Sequence, residues 1–263
     1  MARARSTQVL VSRAGRGVGP DRLIVEELLE ILLDGRLVAT TMRTPGNDFE
    51  LAVGFLHGDG ALAGASVRQV RYCSTGSAVD TGFNVVDVDT RGAAPGGPPR
   101  LGAVGSSCGT CGSRSIDRLV ERLRPFAEPA PVAPAVVASL PGAVAGRQEL
   151  FAATGSVHAA AAFDPATGTV DVVREDIGRH NAVDKVVGRL LLDGRLPGGR
   201  AGLFVSGRAS FEMVQKAWAG GFGVVVAVSG PSALAVATAR RANMTLVGFA
   251  RGDSMNVYSP APL

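Results

Sequence analysis

The chain has 263 residues, 46% hydrophobic and 19% charged, which is enough apolar material to bury a core in one large or two modest globular units. A formal charge of +4 favours anionic partners, but no dense Lys/Arg block with interleaved aromatics marks a nucleic-acid surface. No apolar run approaches the ~18 residues that a bilayer-spanning helix needs, and MARARSTQVLVSRAGRG lacks the apolar block of a secretory signal, so a cytoplasmic protein acting away from membranes is expected.

In chain order, Leu28–Leu33, Asp34-Gly35 and Arg36–Met42 read as a hairpin, because an Asp-Gly pair takes the positive φ angles of a two-residue turn. TPGND then supplies turn residues and an N-cap, Asn47 or Asp48, for a short helix with Leu51, Ala52, Phe55 and Leu56 on its apolar face. Val67–Tyr72 and Phe83–Val88 follow as strands separated by STGSAVDTG. RGAAPGGPPRLGAVG, residues 91–105, is too rich in Gly and Pro to order itself by burial and reads as a flexible surface loop. The Pro-rich stretch Glu128–Pro134 is the candidate linker between an N-terminal unit, residues 1–126, and a C-terminal unit, residues 135–263.

The C-terminal half has another rhythm. Val157–Phe163 and Thr169–Val173 are strands joined by the turn DPATG, and Asn181–Leu192 has helical apolar spacing. Gly202–Val205, Val224–Val228 and Thr245–Phe249 then alternate as strands with helices Phe211–Ala219 and Ser232–Arg241. Such alternation implies an α/β fold with a mostly parallel sheet flanked by helices, preceded by a smaller α+β region.

Three cysteines, Cys73, Cys108 and Cys111, are too few for a disulfide framework or a four-thiolate zinc site. Cys73 sits in a strand pattern beside Tyr72 and reads as a core thiol. SSCGTCGSRSIDRLVERL places Cys108 and Cys111 between the glycine-rich loop and a helix that Ser113 or Ser115 can cap. A helix start stabilises a thiolate through its free N–H groups and dipole, and Arg114 and Arg118 add to that. From the pair alone, half of a metal site, a redox dithiol and a sulfur carrier all remain open.

Three further segments carry polar groups where strands hand over to helices. REDIGRHNAVDK gathers Arg174, Glu175, Asp176, Arg179, His180, Asn181, Asp184 and Lys185, either as caps and a solvated face or with His180 and Lys185 turned to a ligand or partner. Ser206-Gly207-Arg208 opens one loop and Ser229 another, each after a buried strand, where α/β sheets bind ligands and helix N-termini favour phosphate. Tight-turn chemistry is the plainer reading of both loops. Phe249-Ala250-Arg251-Gly252-Asp253-Ser254 leaves the last strand with an Arg suited to a pyrophosphate or guanine edge.

TMRTPGNDFELAVGFLHGDG, SSCGTCG, TGSVHAAA, REDIGRHNAVDKVVG, SGRASFEMVQKA, VAVSGPSALAVATA, TLVGFARG and MNVYS occur in an order that resembles the FdhD family of formate dehydrogenase accessory proteins, over roughly residues 26–258. The resemblance implies a sulfurtransferase that takes persulfide sulfur from a cysteine desulfurase. It then sulfurates the molybdenum or tungsten bis(molybdopterin guanine dinucleotide) cofactor before insertion into formate dehydrogenase. It further implies a cytidine-deaminase-like C-terminal fold, a homodimer, Cys108 as persulfide bearer and Cys111 as its partner. Phe249–Ser254 matches the family's cofactor-binding stretch, and Ser206, Gly207, Arg208, Ser229 and His180 are added as nucleotide contacts. His158 stands where deaminases have HAE, but Ala160 replaces the Glu and no PCxxC follows, so no zinc is expected. A non-catalytic chaperone of the cofactor and a dithiol oxidoreductase are the competing readings.

Overall fold

The computed structural model describes residues 4–14, 17–73, 77–95, 103–104 and 121–260. Strands β1 (Ser6–Arg13) and β2 (Gly17–Ile24) form an antiparallel ribbon in which Leu10 and Val18 are exposed. The Asp-Gly hairpin follows as β3 (Glu27–Leu33) and β4 (Arg36–Arg43), with Asp34 at φ 50° and Gly35 at φ 76°. Both central residues are left-handed, which matches the twist of the flanking strands. β5 (Gln69–Tyr72) pairs antiparallel with β6 (Val85–Asp89), β6 runs parallel to β3, and β7 (Ala103–Val104) runs parallel to β4. The sheet order is β5-β6-β3-β4-β7. Helix α1 (Asp48–Gly58) lays Leu51, Phe55 and Leu56 on Leu29, Ile31 and Val86 of this sheet. β7 lies within the run expected to be a loop, where two residues find a ladder on β4 despite their Gly/Pro-rich surroundings.

The second half contains α2 (Pro134–Ala145), α3 (Glu149–Thr154), β8 (His158–Phe163), β9 (Val170–Asp176), α4 (Arg179–Leu192) and β10 (Ala201–Val205). It continues through α5 (Phe211–Ala219), β11 (Phe222–Ala227), α6 (Ala233–Arg241), β12 (Thr245–Arg251) and β13 (Ser254–Ser259). The sheet order is β13-β12-β11-β10-β8-β9. Alternate residues face opposite sides: Leu203 and Val205 meet α4, α5 and α6, whereas Phe204 meets Val137, Leu140 and Val144 of α2.

The expected mostly parallel sheet is corrected to a mixed one. β10, β11 and β12 pair parallel to one another and β9 points the same way, but β8, lying between β9 and β10, and β13 at the other end run antiparallel to them. The cause is local, since the short turns β8–β9 and β12–β13 leave no room for a crossover, and a tight turn returns the chain antiparallel. The Pro-rich linker segment is also pinned: Thr245 Oγ1 donates to Ala130 O at 2.6 Å.

Glycine sets how closely the two halves meet. A Cβ on Gly54 of α1 would stand 1.9 Å from Asp184 O of α4, and one on Gly188 would stand 1.8 Å from Glu50 O. The helix backbones therefore touch at a spacing that no larger residue permits.

Candidate functional site

Strands β9, β10, β11 and β12 run in one direction, so their carboxyl ends share an edge of the sheet, with the start of β8 among them. The loops leaving them are knitted together. Ser229 N donates to Gly207 O at 3.4 Å, Ser232 N to Ala209 O at 3.1 Å, and Phe249 N to Ser229 O at 3.3 Å. Arg251 Nε donates to Val228 O at 3.3 Å. The structure thus gathers the sequence-predicted Ser206, Gly207, Arg208, Ser229, Phe249 and Arg251 at one edge. Ala250 is fully buried against the α2 side, so its backbone faces the edge without its methyl. Gly252, Asp253 and Ser254 form the exposed turn into β13. Phe249 is left-handed at φ 54° with its side chain 41% exposed, a costly arrangement for a bulky residue of the kind that clusters at functional sites. Its ring lies over Gly230, where a Cβ would come within 2.8 Å.

Helices α4, α5 and α6 all begin at this edge and direct free N–H groups toward it. Ser232 caps α6 by accepting from Ala235 N at 3.1 Å, but Ser210 makes no such bond at the start of α5. Ser210 Oγ and Arg179 Nε, in the first turn of α4, are both shielded from solvent and have no hydrogen-bond partner among the described residues. Buried polar atoms normally find partners, so two orphans at one edge point to a ligand that satisfies them. Arg179 also flanks Gly207, where a Cβ would meet Arg179 Cδ at 3.8 Å and the His158 ring at 3.5 Å.

His158 faces Ser206 Oγ at 3.4 Å, and that hydroxyl oxygen accepts from Ala159 N at 2.9 Å. Burial, then the charges of Arg179 and His180, hold the His158 imidazolium below its ordinary pKa, with Asp176 opposing them. A neutral ring therefore lines a cleft of about 460 Å³ whose walls include Phe151, Ser156, Ile177, Phe204, Ser206 and Val228. Sequence reasoning singled out neither Arg179, Ser210 nor His158 as a ligand contact. Arg179 and Ser210 each adjoin a strand-to-helix turn, and His158 opens β8 after a helix-to-strand turn.

The dense REDIGRHNAVDK block divides between two tasks. His180 belongs to the edge by position, but its Nε2 lies 2.6 Å from Glu212 Oε2 of α5. Most of the block faces the other half of the molecule. Asp176 accepts from Thr44 N at 3.1 Å, Gly178 N at 2.8 Å and Asn181 Nδ2 at 3.0 Å, and Lys185 Nζ stands 2.7 Å from it. Lys185 Nζ also donates to Thr44 O at 3.0 Å, Asn181 Nδ2 to Met42 O at 2.7 Å, and Ile177 N to Thr44 Oγ1 at 3.1 Å. Arg174 pairs with Glu50 through both carboxylate oxygens, at 2.5 and 2.8 Å. The Glu175 carboxylate caps α3 by accepting from Leu150 N and Phe151 N. Asp184 holds Lys216 at 2.6 Å; burial pushes the Asp184 carboxyl up to about 6, and Lys216 only partly offsets it. Lys185 is thus a fully buried tie between halves.

Cys108 and Cys111, with the helix expected after them, lie outside the described residues. The flanks are described. Val104 pairs with Thr41, two residues before the Arg43-Thr44 segment. Beyond the pair, Trp218 Nε1 donates to Arg124 O at 2.9 Å and Phe126 N to Ala242 O at 3.0 Å, at the far ends of α5 and α6. Cys73 is buried, as expected of a core thiol. Among the described residues no helix is long and apolar enough to cross a membrane.

Residues 24–262 match the sequence model of the FdhD/NarQ family. A protein of Mycolicibacterium paratuberculosis named sulfur carrier protein FdhD is 48% identical over 94% of each chain. One of the same name from Streptomyces coelicolor is 49% identical over 92% of this chain and 88% of its own. Among solved structures, a candidate formate dehydrogenase accessory protein from Desulfotalea psychrophila superposes with a TM-score of 0.74 at 26% identity, covering 97% of this chain and 96% of its own.

Proposed function

This chain belongs to the FdhD/NarQ family, and we propose that it is a sulfur carrier in formate dehydrogenase maturation. The sulfur travels as a persulfide on Cys108, taken from a cysteine desulfurase. It passes to the bis(molybdopterin guanine dinucleotide) cofactor of molybdenum or tungsten, held as cargo at the carboxyl edge by a homodimer. The observation that carries the reading is the pair of buried orphans, Arg179 Nε and Ser210 Oγ, between two helix N-termini. A phosphate group offers acceptors to such donors and is favoured by the helix dipoles. Arg208 and Arg251 add positive charge, and the exposed Phe249 ring offers a flat apolar face to a base.

The chemistry balances in two steps. The Cys108 thiolate attacks the outer sulfur of the donor persulfide; the donor S–S bond breaks, its thiolate leaves, and a new S–S bond forms on Cys108 without net redox change. The Cys111 thiolate then attacks Cys108 Sγ and forms a Cys108–Cys111 disulfide. Two electrons from the two thiols reduce the outer sulfur, which leaves as hydrosulfide toward the acceptor, and a dithiol reductant resets the pair.

Cys108→Ala tests the reading against a non-catalytic chaperone. The carrier loses sulfuration of the cofactor and keeps binding of guanosine diphosphate, whereas a chaperone with structural cysteines keeps both.

A further inference from the structure

The cleft beside His158 adjoins the unpartnered donors of the carboxyl edge. A Cβ on Gly207 would touch both at once, 3.5 Å from the His158 ring and 3.8 Å from Arg179 Cδ. The cleft walls combine flat apolar surface with a few polar groups, the makeup of a small-molecule site. Phe151, Phe204, Ile177 and Val228 supply the apolar part, and Phe151 is 48% exposed. Two side chains offer hydrogen bonds. Ala159 N donates to Ser206 Oγ, whose hydroxyl in turn donates to His158 Nδ1, so the neutral ring carries its proton on Nε2. Gln148, also in the lining, opens α3 without capping it through its side chain, so its carboxamide keeps a donor and an acceptor to offer.

A second flat surface stands further along the edge. Phe249, exposed over Gly230, lies on β12, three strands from His158 on β8. Neighbouring strands are about 4.8 Å apart, so the two surfaces are separated by about 14 Å, with Gly207 and the end of β10 between them.

We propose that the His158 cleft is a ring pocket for a flat heterobicycle with a lactam edge, the class to which pterins and guanine belong, tethered to a phosphate at Arg179 and Ser210. Gln148 pairs with the lactam N–H and C=O, His158 Nε2 donates to a ring acceptor, and Phe151 covers one face of the ring. The inference rests on the edge as the seat of a phosphate-bridged cargo and deepens that reading: one ring lies on Phe249, the other enters the cleft, and the cargo spans the edge between them. A ring without the lactam, such as adenine, leaves the Gln148 carboxamide mismatched and is rejected.

Calorimetry on the full chain with inorganic pyrophosphate, neopterin monophosphate, guanosine diphosphate and adenosine diphosphate separates the parts. The same titrations are run on Gln148→Leu and His158→Phe, with thermal melts to establish folding; Gln148→Leu carries the test alone if His158→Phe does not fold. The ring pocket predicts that wild type binds neopterin monophosphate or guanosine diphosphate at least about tenfold more tightly than adenosine diphosphate. Each variant loses about tenfold on the lactam-bearing probe, while pyrophosphate stays within about twofold. Loss confined to neopterin monophosphate assigns the cleft to a pterin, loss confined to guanosine diphosphate assigns it to guanine, and loss of both means that the pocket reads the lactam alone. Folded variants that bind every ringed probe as wild type does, or a wild type indifferent to the lactam, overturn the proposal. A wild-type chain that does not bind pyrophosphate sinks the phosphate edge itself, and the ring pocket with it.

Discussion

The seam between the two halves and the carboxyl edge of the second sheet are built from adjoining residues of one segment, yet they treat polar groups in opposite ways. At the seam Asp176, Asn181 and Lys185 are buried and bonded on every side. At the edge, Arg179, three residues from Asp176, keeps a shielded Nε with no partner among the described residues. A saturated buried network specifies geometry, whereas an unsaturated one is costly until something arrives to complete it. The contrast separates residues that shape this protein from residues that wait for its ligand.

The sharpest way to break that contrast is to leave a seam charge unpaired. Lys185→Met strands the Asp176 carboxylate in a dry site and is expected to lower stability by about 3–5 kcal/mol in a denaturant titration. Gly188→Ala comes next. Its Cβ would overlap Glu50 O, so α1 and α4 must part, at about 1–3 kcal/mol or more by the same titration. Titrating Asp184 acts more gently on the same seam. Its folded pKa of about 6 lies above the ordinary 3.8, so the folded state holds the proton more tightly. Stability from this group is fully present below about pH 4 and is lost as pH rises through about 6, and Asp184→Asn should flatten that slope in melts taken across the range. Arg179→Gln at the edge should move stability least, within about 0.5 kcal/mol, because it removes no bond at Nε. It should instead weaken inorganic pyrophosphate about tenfold by calorimetry. A large loss of stability with unchanged pyrophosphate binding would erase the distinction between the two regions.

Local chemistry made much of this legible. The Asp34-Gly35 hairpin and helix Phe211–Ala219 occur at the positions that turn residues and apolar spacing assign. Hidden features depended on distant chain. β7 is two residues whose ladder exists only because β4 runs beside them. The sheet reads as mostly parallel until the short turns around β8, β9 and β13 are given weight over strand-helix alternation. In the candidate site, the density of REDIGRHNAVDK was visible, but its division was not. Thr44 and Met42, which consume Asp176, Asn181 and Lys185, lie more than 130 residues away in sequence. Arg179 and Ser210 stand out only once every neighbour has been paired and they have not.

The carrier claim is tested most directly by incubating the full chain with a cysteine desulfurase and cysteine, then taking its intact mass with peptide mapping. A gain of one sulfur atom that maps to Cys108 and disappears with a dithiol reductant is the predicted result. A chain that gains no sulfur, or carries it on Cys73, contradicts the account.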